Sequence, residues 1–414
     1  MTPSDHAPPH AADRTLSEAV HDLVTAIQPI SGERQVALRA ALGQILARPL
    51  RSTAPVPAHD NSAVDGYALR HADADCDRLR VVGTAAAGHP YSATLGAGDC
   101  VRIMTGAVIP AGADAVVMQE RVSRAGDHIT TAQWPAAGQN IRRAGEDLGA
   151  GDCILDAGRR LTPADLGIIA STGQAELTVK RPLRVAFFST GDELRGVGEP
   201  LGPGQIHDSN RYSLYGLLMQ LGIEALDLGT IEDDPDLLTA ALRQGASDAD
   251  AIVTSGGVSV GDTDHLPRLL AEHGEVRFRS IAMKPGRPVT VGRFGSAWYF
   301  GLPGNPVSVM TTFTQLVTPA LRRLAGEPPR PARRQRVITR SALRKTPGRE
   351  DFQRGQLIEA GDGQLEVVSV GHQGSGVLRS MSEADCFIVL PPQQGSVEAG
   401  EVVEVEPFTP PLRV

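Results

Sequence analysis

The stretch DAIVTSGGVSVGDTD occupies residues 250–264 and combines an apolar run, a glycine-rich turn and two acidic residues. Its first part, residues 251–254, predicts a β-strand, and the glycines that follow predict a loop that leads into a helix. Glycines let successive backbone N–H groups point at one ligand, so such a loop at a helix N-terminus favours a phosphate. For the glycines alone, a tight turn between a strand and a helix is an equal alternative.

The two carboxylates of this stretch, Asp262 and Asp264, favour the phosphate-binding loop over the tight turn. Carboxylates beside a phosphate repel it unless a divalent cation lies between them, and hard oxygen ligands suit Mg²⁺. We therefore expect a phosphorylated ligand together with magnesium. The loop residues expected to contact this ligand are Ser255, Gly256, Gly257, Ser259 and Gly261.

Strands and helices alternate on both sides of the loop. Apolar runs predict strands at residues 184–188, 225–228, 251–254, 276–281 and 297–300, and amphipathic spacing predicts helices near residues 213–221, 236–245 and 264–273. Such alternation predicts an α/β fold, with a doubly wound, mostly parallel sheet over residues 179–326. Ligands bind at the carboxyl ends of strands in these sheets. That rim would also carry the acidic residues Asp192, Glu193, Asp233 and Asp234.

Two further loops would join this rim. The turn MKPGRP at residues 283–288 holds Lys284 and Arg287 in a proline-stiffened segment that can present two cations to an oxyanion. A solvated basic turn is the alternative. The sequence GLPGNPVS at residues 301–308 predicts a helix with Asn305 as N-cap and Pro306 at its first position, a second anion site.

The first half of the chain divides into helical and β-rich parts. Residues 1–14 are rich in Pro, Ala and His and predict a disordered tail. Helical spacing predicts helices at residues 16–27 and 36–46, and Thr162 and Pro163 predict a third that ends at Gly173. We expect a helical domain from residues 15–49 and 146–178, and the apolar faces of its first two helices could form a dimer seam.

A β-rich inserted domain is expected at residues 50–145, and a C-terminal β-barrel at residues 332–414. The inserted domain begins with the polar cluster DNSAVDGY at residues 60–67, which contains Asp65. An Asx-rich turn is the simplest explanation for that cluster. Within the same domain, the hydroxyl of Thr105 lies in a compact turn and could face a ligand.

Composition limits the classes of function. The 414 residues carry a net charge of −8, which disfavours nucleic acid as a partner because no basic face would contact its phosphates. Four cysteines stand far apart without a CxxC pair, which argues against a zinc cluster or a disulfide framework and is typical of a reducing cytoplasm. No apolar run reaches ~18 residues, and the first ten residues have neither the basic nor the apolar region of an export signal, so we expect a cytoplasmic protein without a membrane span.

Six motifs in fixed order carry a family resemblance: DNSAVDGYA, TGDEL, QIHDSNRYSL, SGGVSVGDTD, KPGRP and GLPGNPVS. From about residue 15 to its end, the chain resembles the molybdopterin molybdenumtransferase family, which completes molybdenum cofactor synthesis. The resemblance implies a Mg²⁺-dependent enzyme that inserts molybdate into adenylylated molybdopterin and releases AMP. It also implies a homodimer with its active site between subunits, and molybdopterin adenylyltransferase and molybdoenzyme assembly factors as partners.

The resemblance also assigns roles to residues of this chain. The catalytic candidates are Asp65, Glu193, Asp264, Lys284 and Arg287, and the magnesium candidates are Asp264, Asp262 and Asp192. Together with the loop residues already named, the substrate-binding candidates are Thr105, Asp147, Asp192, Asp234, Pro303, Asn305, Ser308, Arg349 and Ser380. Arg354 and residues 375–380 resemble the family's molybdate region. Departures from the family pattern are Arg287 in place of Lys, and His59, His207 and His265 in place of an aromatic residue.

Two other functions use the same fold. A non-catalytic scaffold of the gephyrin type would be expected to carry an additional adenylyltransferase domain and a long linker, which the 414 residues do not contain. A molybdopterin adenylyltransferase shares the glycine-rich loop but is expected to lack DNSAVDGYA and the C-terminal barrel.

Overall fold

The computed structural model describes residues 14–258, 265–361 and 363–408. They form two compact units. One contains the residues up to Glu33 and from Lys180 onward, and the other runs from Arg34 to Val179. Among the described residues, no helix is long and apolar enough to cross a membrane.

The chain enters the first unit through helix α1 (Leu16–Ala26), which begins where the spacing predicts. Its N-cap is Thr15, whose Oγ1 accepts a hydrogen bond from the backbone N of Glu18 at 3.2 Å. The Glu18 carboxylate accepts in return from the backbone N of Thr15 at 2.9 Å. This reciprocal pair satisfies two N–H groups that the first helical turn leaves without partners.

The second unit consists mainly of short strands. Its elements in chain order are β1 (Glu33–Ala37), β2 (Leu50–Arg51), β3 (Asn61–Ser62), β4 (Gly66–Leu69), β5 (Leu79–Ala85), β6 (Asp99–Ile103), β7 (Ala115–Met118), β8 (Val122–Ala125), β9 (His128–Thr131), β10 (Ile141–Arg142), β11 (Cys153–Leu155), α2 (Pro163–Ser171) and β12 (Glu176–Lys180). Six of them form one sheet in the order β7-β4-β6-β5-β9-β8. Apolar side chains are buried on both faces of that sheet, as in a small β-rich domain.

The prediction of a helix at residues 36–46 was wrong. The segment begins with β1, continues as a 3-10 turn (Leu38–Ala41) and ends in two isolated bridges, Ile45 to Arg160 and Leu46 to Val179. In so short a window the apolar positions fit a helix and a strand equally well, and pairing with β12 decided between them. The helix after Thr162 is confirmed, because α2 has Thr162 as N-cap and Pro163 in its first turn.

The first unit contains the α/β sheet. Its elements in chain order are β13 (Arg184–Thr190), β14 (Leu194–Arg195), β15 (Ile206–His207), α3 (Ser209–Gln220), β16 (Glu224–Ile231), α4 (Pro235–Asp248), β17 (Ala251–Ser255), α5 (His265–His273), β18 (Gly274–Ser280), β19 (Met283–Lys284), β20 (Pro288–Phe294), β21 (Ala297–Leu302), α6 (Pro306–Thr312), a π-helical turn (Phe313–Val317) and α7 (Thr318–Ala325). Sequence analysis did not predict β20.

The sheet of this unit has the strand order β16-β13-β17-β21-β20-β18. Its first four strands pair in parallel, and β20 pairs antiparallel with both β21 and β18, which confirms the mostly parallel α/β sheet. Ala186 and Phe188 of β13 pack in one core with residues of α4 and α5. Val185 and Phe187 are also fully buried and, since side chains alternate along a strand, they lie on the opposite face. Helices therefore cover both faces of the sheet.

The C-terminal part of the first unit is a closed five-stranded barrel, as expected. Its elements are β22 (Gln335–Thr339), β23 (Glu350–Glu359), β24 (Leu365–Ser369), α8 (Arg379–Glu383), β25 (Cys386–Leu390) and β26 (Val402–Pro407). The order β23-β24-β22-β26-β25 closes through a further pairing of β23 with β25. Strand β19, just before the first proline of the KPGRP turn, also pairs with β23, so this turn is joined to the barrel.

The apolar side of α1 is covered within its own unit. Leu16, Ala19 and Leu23 are buried, and α1 contacts α7 and the π-helical turn. The expectation that this face could form a dimer seam is therefore wrong, because its apolar residues already pack inside the chain.

An ion pair joins the amino-terminal ends of the central strands. Arg181 donates to the Asp250 carboxylate through Nη1 at 2.8 Å and Nη2 at 2.6 Å, and the backbone N of Arg184 donates to it at 2.9 Å. Burial raises the pKa of Asp250, but the hydrogen bonds from Arg181 and Arg184 and the charge of Arg181 outweigh this effect and hold the pKa below its usual range.

We expect Asp250→Asn to lower the free energy of unfolding at pH 7 by about 1.5–3 kcal/mol, the contribution typical of hydrogen bonds to a charged group. Because the folded pKa lies below the unfolded value of ~3.9, this stabilisation is complete above that pH and is lost as the pH falls through the folded pKa. Urea unfolding of Trp134→Phe chains between pH 7 and pH 3 would follow the first unit through Trp298. If the difference in free energy of unfolding between the chains with and without Asp250→Asn stays constant down to pH 3, the ion pair with Arg181 is not its source.

Candidate functional site

The carboxyl ends of three parallel strands meet at Gly256. This residue has φ +91°, and a Cβ placed on it would lie 2.3 Å from the backbone oxygen of Thr190 at the end of β13. Its backbone N donates to the oxygen of Leu302, the last residue of β21, at 3.0 Å. The glycine-rich loop therefore lies between the ends of β13 and β21, and a side chain at position 256 would separate them.

The acidic candidates of this rim take different positions. Asp233 accepts from Thr190 Oγ1 at 2.9 Å, and its backbone N lies 3.5 Å from Asp192 Oδ1. Asp234 is the N-cap of α4, where its carboxylate accepts from the backbone N of Asp236 and of Leu237, both at 2.9 Å. The structure thus brings Asp192 next to Asp233, whereas the Asp234 carboxylate is engaged in capping.

Four sequence-predicted residues, Ser259, Gly261, Asp262 and Asp264, lie outside the described residues. In the parts of the chain that the structure describes, no group of three or more His, Cys, Asp or Glu residues could hold a metal ion. The magnesium assignment to Asp264, Asp262 and Asp192 therefore stays a prediction.

The KPGRP turn is fixed by two contacts. Lys284 Nζ lies 3.3 Å from Oδ2 of Asp351, a residue of β23 that is only 3% exposed. Gly286 has φ +104°, and a Cβ placed on it would lie 2.2 Å from Thr312 Oγ1 at the end of α6. Lys284 is half-exposed and Arg287 is exposed, so both cations are accessible on a turn whose backbone is packed.

The beginning of α6 lies beside this turn. Asn305 is its N-cap, as predicted, but the Asn305 side chain makes no capping hydrogen bond. The backbone N of Val307 donates to the backbone oxygen of Ser375, in the barrel loop before α8, at 3.0 Å. Ser308 is buried, and a Cβ on Gly286 would lie 3.6 Å from its backbone oxygen. The α6 N-terminus, the KPGRP turn and the barrel loop therefore adjoin one another.

Arg354 and Ser380 contact each other inside the barrel. Arg354 is 1% exposed, and its Nε donates to Ser380 Oγ at 3.1 Å. Its Nη2 donates to the backbone oxygens of His372 at 3.3 Å and Gly374 at 3.1 Å. Burial lowers the pKa of Arg354 to about 10, although the charge of Asp351 raises it. Arg354 thus holds residues 372–374 in place, while Arg349 is exposed at the start of β23.

In the second unit, Asp65 and Thr105 are brought together. Oδ1 of Asp65 accepts from both the backbone N and Oγ1 of Thr105, each at 2.7 Å. These two hydrogen bonds, the backbone one first, hold the pKa of Asp65 below its usual range, so the carboxylate is ionised at neutral pH. Asp147, the other acidic candidate of this unit, is exposed, and its backbone N donates to the oxygen of Val56 at 3.0 Å.

Two residues of the first-unit site had no role in the sequence analysis. Asn210 lies within the motif QIHDSNRYSL, and its Nδ2 donates to Ser255 Oγ at 2.8 Å and to the Gly304 oxygen at 2.7 Å. Asp351, the partner of Lys284, is an acidic residue at the start of a buried strand. Such an acid in a core strand is a signal that sequence alone offers, because charged residues are rarely buried without a partner.

These contacts define what the first-unit site can do chemically. Backbone N–H groups near Gly256 can hold a phosphate, and Asp192 and Asp233 place negative charge at the same rim. Lys284 and Arg287 can bind a dianion, since an arginine fork and an ammonium both donate to tetrahedral oxyanions.

Comparison with known proteins identifies three matching regions. Residues 14–173 match the MoeA N-terminal region (domain I and II), residues 186–323 match a probable molybdopterin binding domain, and residues 336–408 match the MoeA C-terminal region (domain IV). Together these models cover most of the chain.

Similar proteins match over nearly their whole length. The molybdopterin molybdenumtransferase of Haemophilus influenzae is 45% identical over 90% of this chain and 93% of its own, and that of a Nostoc species is 36% identical over 96% and 94%. Among solved structures, a molybdopterin biosynthesis MoeA protein from Pyrococcus horikoshii is 31% identical over 95% of this chain and 98% of its own, with a TM-score of 0.77.

We expect Gly286→Ala to lower the free energy of unfolding by about 1–3 kcal/mol, because the added Cβ would collide with Thr312 Oγ1 and the backbone has a positive φ. Gly216→Ala is the matched control. That helical glycine has open space around it, so its replacement should be neutral or stabilising by about 0.5–1 kcal/mol. Urea unfolding of both variants in Trp134→Phe chains, followed by Trp298 fluorescence, compares the two. Equal stability of both variants would contradict the packing of the KPGRP turn against α6.

Proposed function

The chain belongs to the molybdopterin molybdenumtransferase family, an enzyme family of molybdenum cofactor biosynthesis, and from this premise we propose how its residues act. The substrates are molybdate and adenylylated molybdopterin, and the products are molybdenum cofactor and AMP. The observation that carries the assignment of the molybdate site is the contact of the KPGRP turn with α6 and with β23 of the barrel.

Molybdate is a tetrahedral dianion, and the residues at that contact have the corresponding chemistry. Lys284 and Arg287 supply positive charge on either side of Gly286. Ser308 follows in α6, and its Oγ forms no hydrogen bond to another described residue, so this hydroxyl can donate to an oxyanion. Asp351 orients the ammonium of Lys284 through their ion pair, in which Nζ and Oδ2 lie 3.3 Å apart.

The adenylylated substrate is assigned to the loops at the carboxyl ends of β13, β17 and β21. Its phosphoanhydride must be cleaved by water, which adds to the adenylyl phosphorus while the bond to the molybdopterin phosphate breaks. Asp65 is proposed to accept the proton of that water. It is ionised, and within the described chain its Oδ2 has no hydrogen-bond partner, so one carboxylate oxygen is available. Thr105 would orient the carboxylate.

We propose Mg²⁺ as a further requirement. The donors available on this rim are carboxylates, and Asp192 lies beside Asp233, which accepts from Thr190, so the donor set fits a hard cation. Asp192, Asp262 and Asp264 would hold the ion. The cation would neutralise charge on the phosphates that the glycine-rich loop binds.

A homodimer in the cytoplasm is also part of the proposal. Since α1 is covered, the seam needs another apolar surface, and α3 offers one. Tyr212, Tyr215 and Met219 are half-exposed and recur at helical spacing, and Ile206 lies exposed just before the helix. Contiguous exposed apolar side chains of this kind mark association surfaces. Molybdopterin adenylyltransferase and molybdoenzyme assembly factors are the proposed transient partners.

The proposed reaction is tested with purified protein, adenylylated molybdopterin, molybdate and Mg²⁺. We expect release of AMP and formation of a cofactor that activates an apo-molybdoenzyme. Removal of Mg²⁺ with EDTA should stop AMP release, and added Mg²⁺ should restore it. Asp65→Asn should be inactive while folded, whereas Asp60→Asn, whose carboxylate pairs with Arg143 instead, should retain turnover. No AMP from the unmodified chain would reject the function, and full turnover in EDTA would reject the metal requirement.

A complementation experiment tests the shared site that the family resemblance implies. Asp65→Ala should block AMP release, and Lys284→Ala should raise the molybdate requirement through loss of a fixed cation. If each site takes Asp65 from one subunit and Lys284 from the other, a mixed dimer contains one site with both lesions and one with neither. If the two sites act independently, it should regain up to about half of the normal activity. Mixed dimers that stay as impaired as the parents would place both residues of each site in one chain.

A further inference from the structure

Asn210 connects the two substrate loops that the sequence predicted separately. Its Nδ2 donates to Ser255 Oγ at the end of β17 and to the backbone oxygen of Gly304 just before α6. These two partners are 45 and 94 residues away in sequence. A single amide group at the start of α3 therefore sets the spacing between the glycine-rich loop and the N-terminus of α6.

The orientation of this amide follows from its partners. The Gly304 carbonyl can only accept a hydrogen bond, so the nitrogen of Asn210 and not its oxygen must face it. The same nitrogen then donates its second proton to Ser255 Oγ. Ser255 Oγ accepts this hydrogen bond, and its own hydroxyl proton has no acceptor among the described residues. That proton is available to an oxygen atom of a ligand.

The other end of the amide indicates that packing alone does not explain this residue. Asn210 is 9% exposed, and its Oδ1 is buried without a hydrogen-bond partner. A buried acceptor without a donor lowers the stability of the fold, and an apolar side chain of similar size would avoid that loss. The two hydrogen bonds that Nδ2 donates to loops of the substrate site are what an apolar side chain could not supply.

We propose that Asn210 is a positioning residue for the adenylylated substrate: it holds Ser255 and the α6 N-terminus at a fixed spacing and directs the Ser255 hydroxyl proton to a substrate oxygen. This inference rests on the proposed function and deepens it. The effect on molybdate should be much smaller, since the cation Lys284 is held through Asp351 and β23 and not through Asn210.

The test compares steady-state kinetics of Asn210→Ala and Asn210→Asp with those of Ser213→Ala. The control residue lies on the same helix, where its hydroxyl bonds only the Ser209 oxygen. For Asn210→Ala we expect the KM for adenylylated molybdopterin to rise about tenfold or more, as loss of one or two hydrogen bonds predicts. The KM for molybdate should stay within about twofold, and Ser213→Ala should match the unmodified enzyme in both.

Asn210→Asp supplies a signature that a purely structural role would not produce. Its ionised carboxylate would face the Gly304 oxygen and accept the Ser255 proton, so the hydroxyl would turn away from the substrate. Below the pKa of the new carboxyl, the protonated form can donate to Gly304 again. A carboxyl opposite a carbonyl oxygen favours its neutral form, which raises that pKa. The KM relative to the unmodified enzyme should therefore fall as the pH is lowered for Asn210→Asp, but not for Asn210→Ala.

The charged groups near residue 210 are the same in the Asn210→Asp variant and in the unmodified enzyme, so they do not change the ratio of the two KM values. Asp208 and Arg211 lie at the same helix end, Arg211 pairs with Asp227 of β16, and Ser255, Gly304 and Asn305 carry no charge.

Thermal unfolding of each variant checks its fold. An unchanged KM for the adenylylated substrate in a folded Asn210→Ala, or an Asn210→Asp ratio that does not vary with pH, would overturn the inference. If the unmodified chain releases no AMP, the proposed function fails instead.

Discussion

The backbones of Gly256 and Thr190 lie very close together at the carboxyl end of the sheet, and this contact constrains the whole site. Gly256 lies so close to the Thr190 oxygen that even a methyl group would force the ends of β13 and β17 apart. Its N–H donates to Leu302, which fixes the end of β21 as well. Backbone geometry therefore sets three loops before any side chain acts. The polar contacts of this rim then follow: Thr190 binds Asp233, and Asn210 joins Ser255 to Gly304.

A second constraint is the buried charge where the sheet meets the barrel. Asp351 contacts Lys284, and two cations, Lys345 and Arg354, are buried in the same barrel. Burial lowers the pKa of both, and each is satisfied mainly by backbone oxygens, Lys345 by those of Pro392 and Gln394. The charges of Asp351 and Glu350 offset part of this positive charge, but the cations Lys284, Lys345 and Arg354 outnumber them, which leaves a positive field at this end of the unit. Such a field favours a dianion beside Lys284 and Arg287.

Sequence reasoning worked where the determinants are local. Thr162 and Pro163 fixed the start of α2, and the alternation of strands and helices after residue 180 yielded the parallel sheet. It failed at residues 36–46, where a strand twelve elements away decided the conformation, and it missed β20, which pairs with β21 and β18 on either side. It also did not predict that the guanidinium of Arg354 is buried against carbonyls of its own barrel. Burial of a charge depends on tertiary packing that spacing does not reveal.

Stability and function are separated along the strands of the sheet. At the amino-terminal ends, Arg181 and Asp250 form two direct hydrogen bonds and Arg184 adds a third, so the charges there are fully paired. At the carboxyl-terminal ends, Asn210 Oδ1 and Thr312 Oγ1 are buried without partners. Unsatisfied polar atoms reduce stability, and they persist where the surrounding packing holds them. Both lie next to the loops assigned to the substrates, one beside Ser255 and the other against Gly286. Paired charges at one end of the sheet thus stabilise a fold whose other end keeps polar groups in positions that packing alone would not favour.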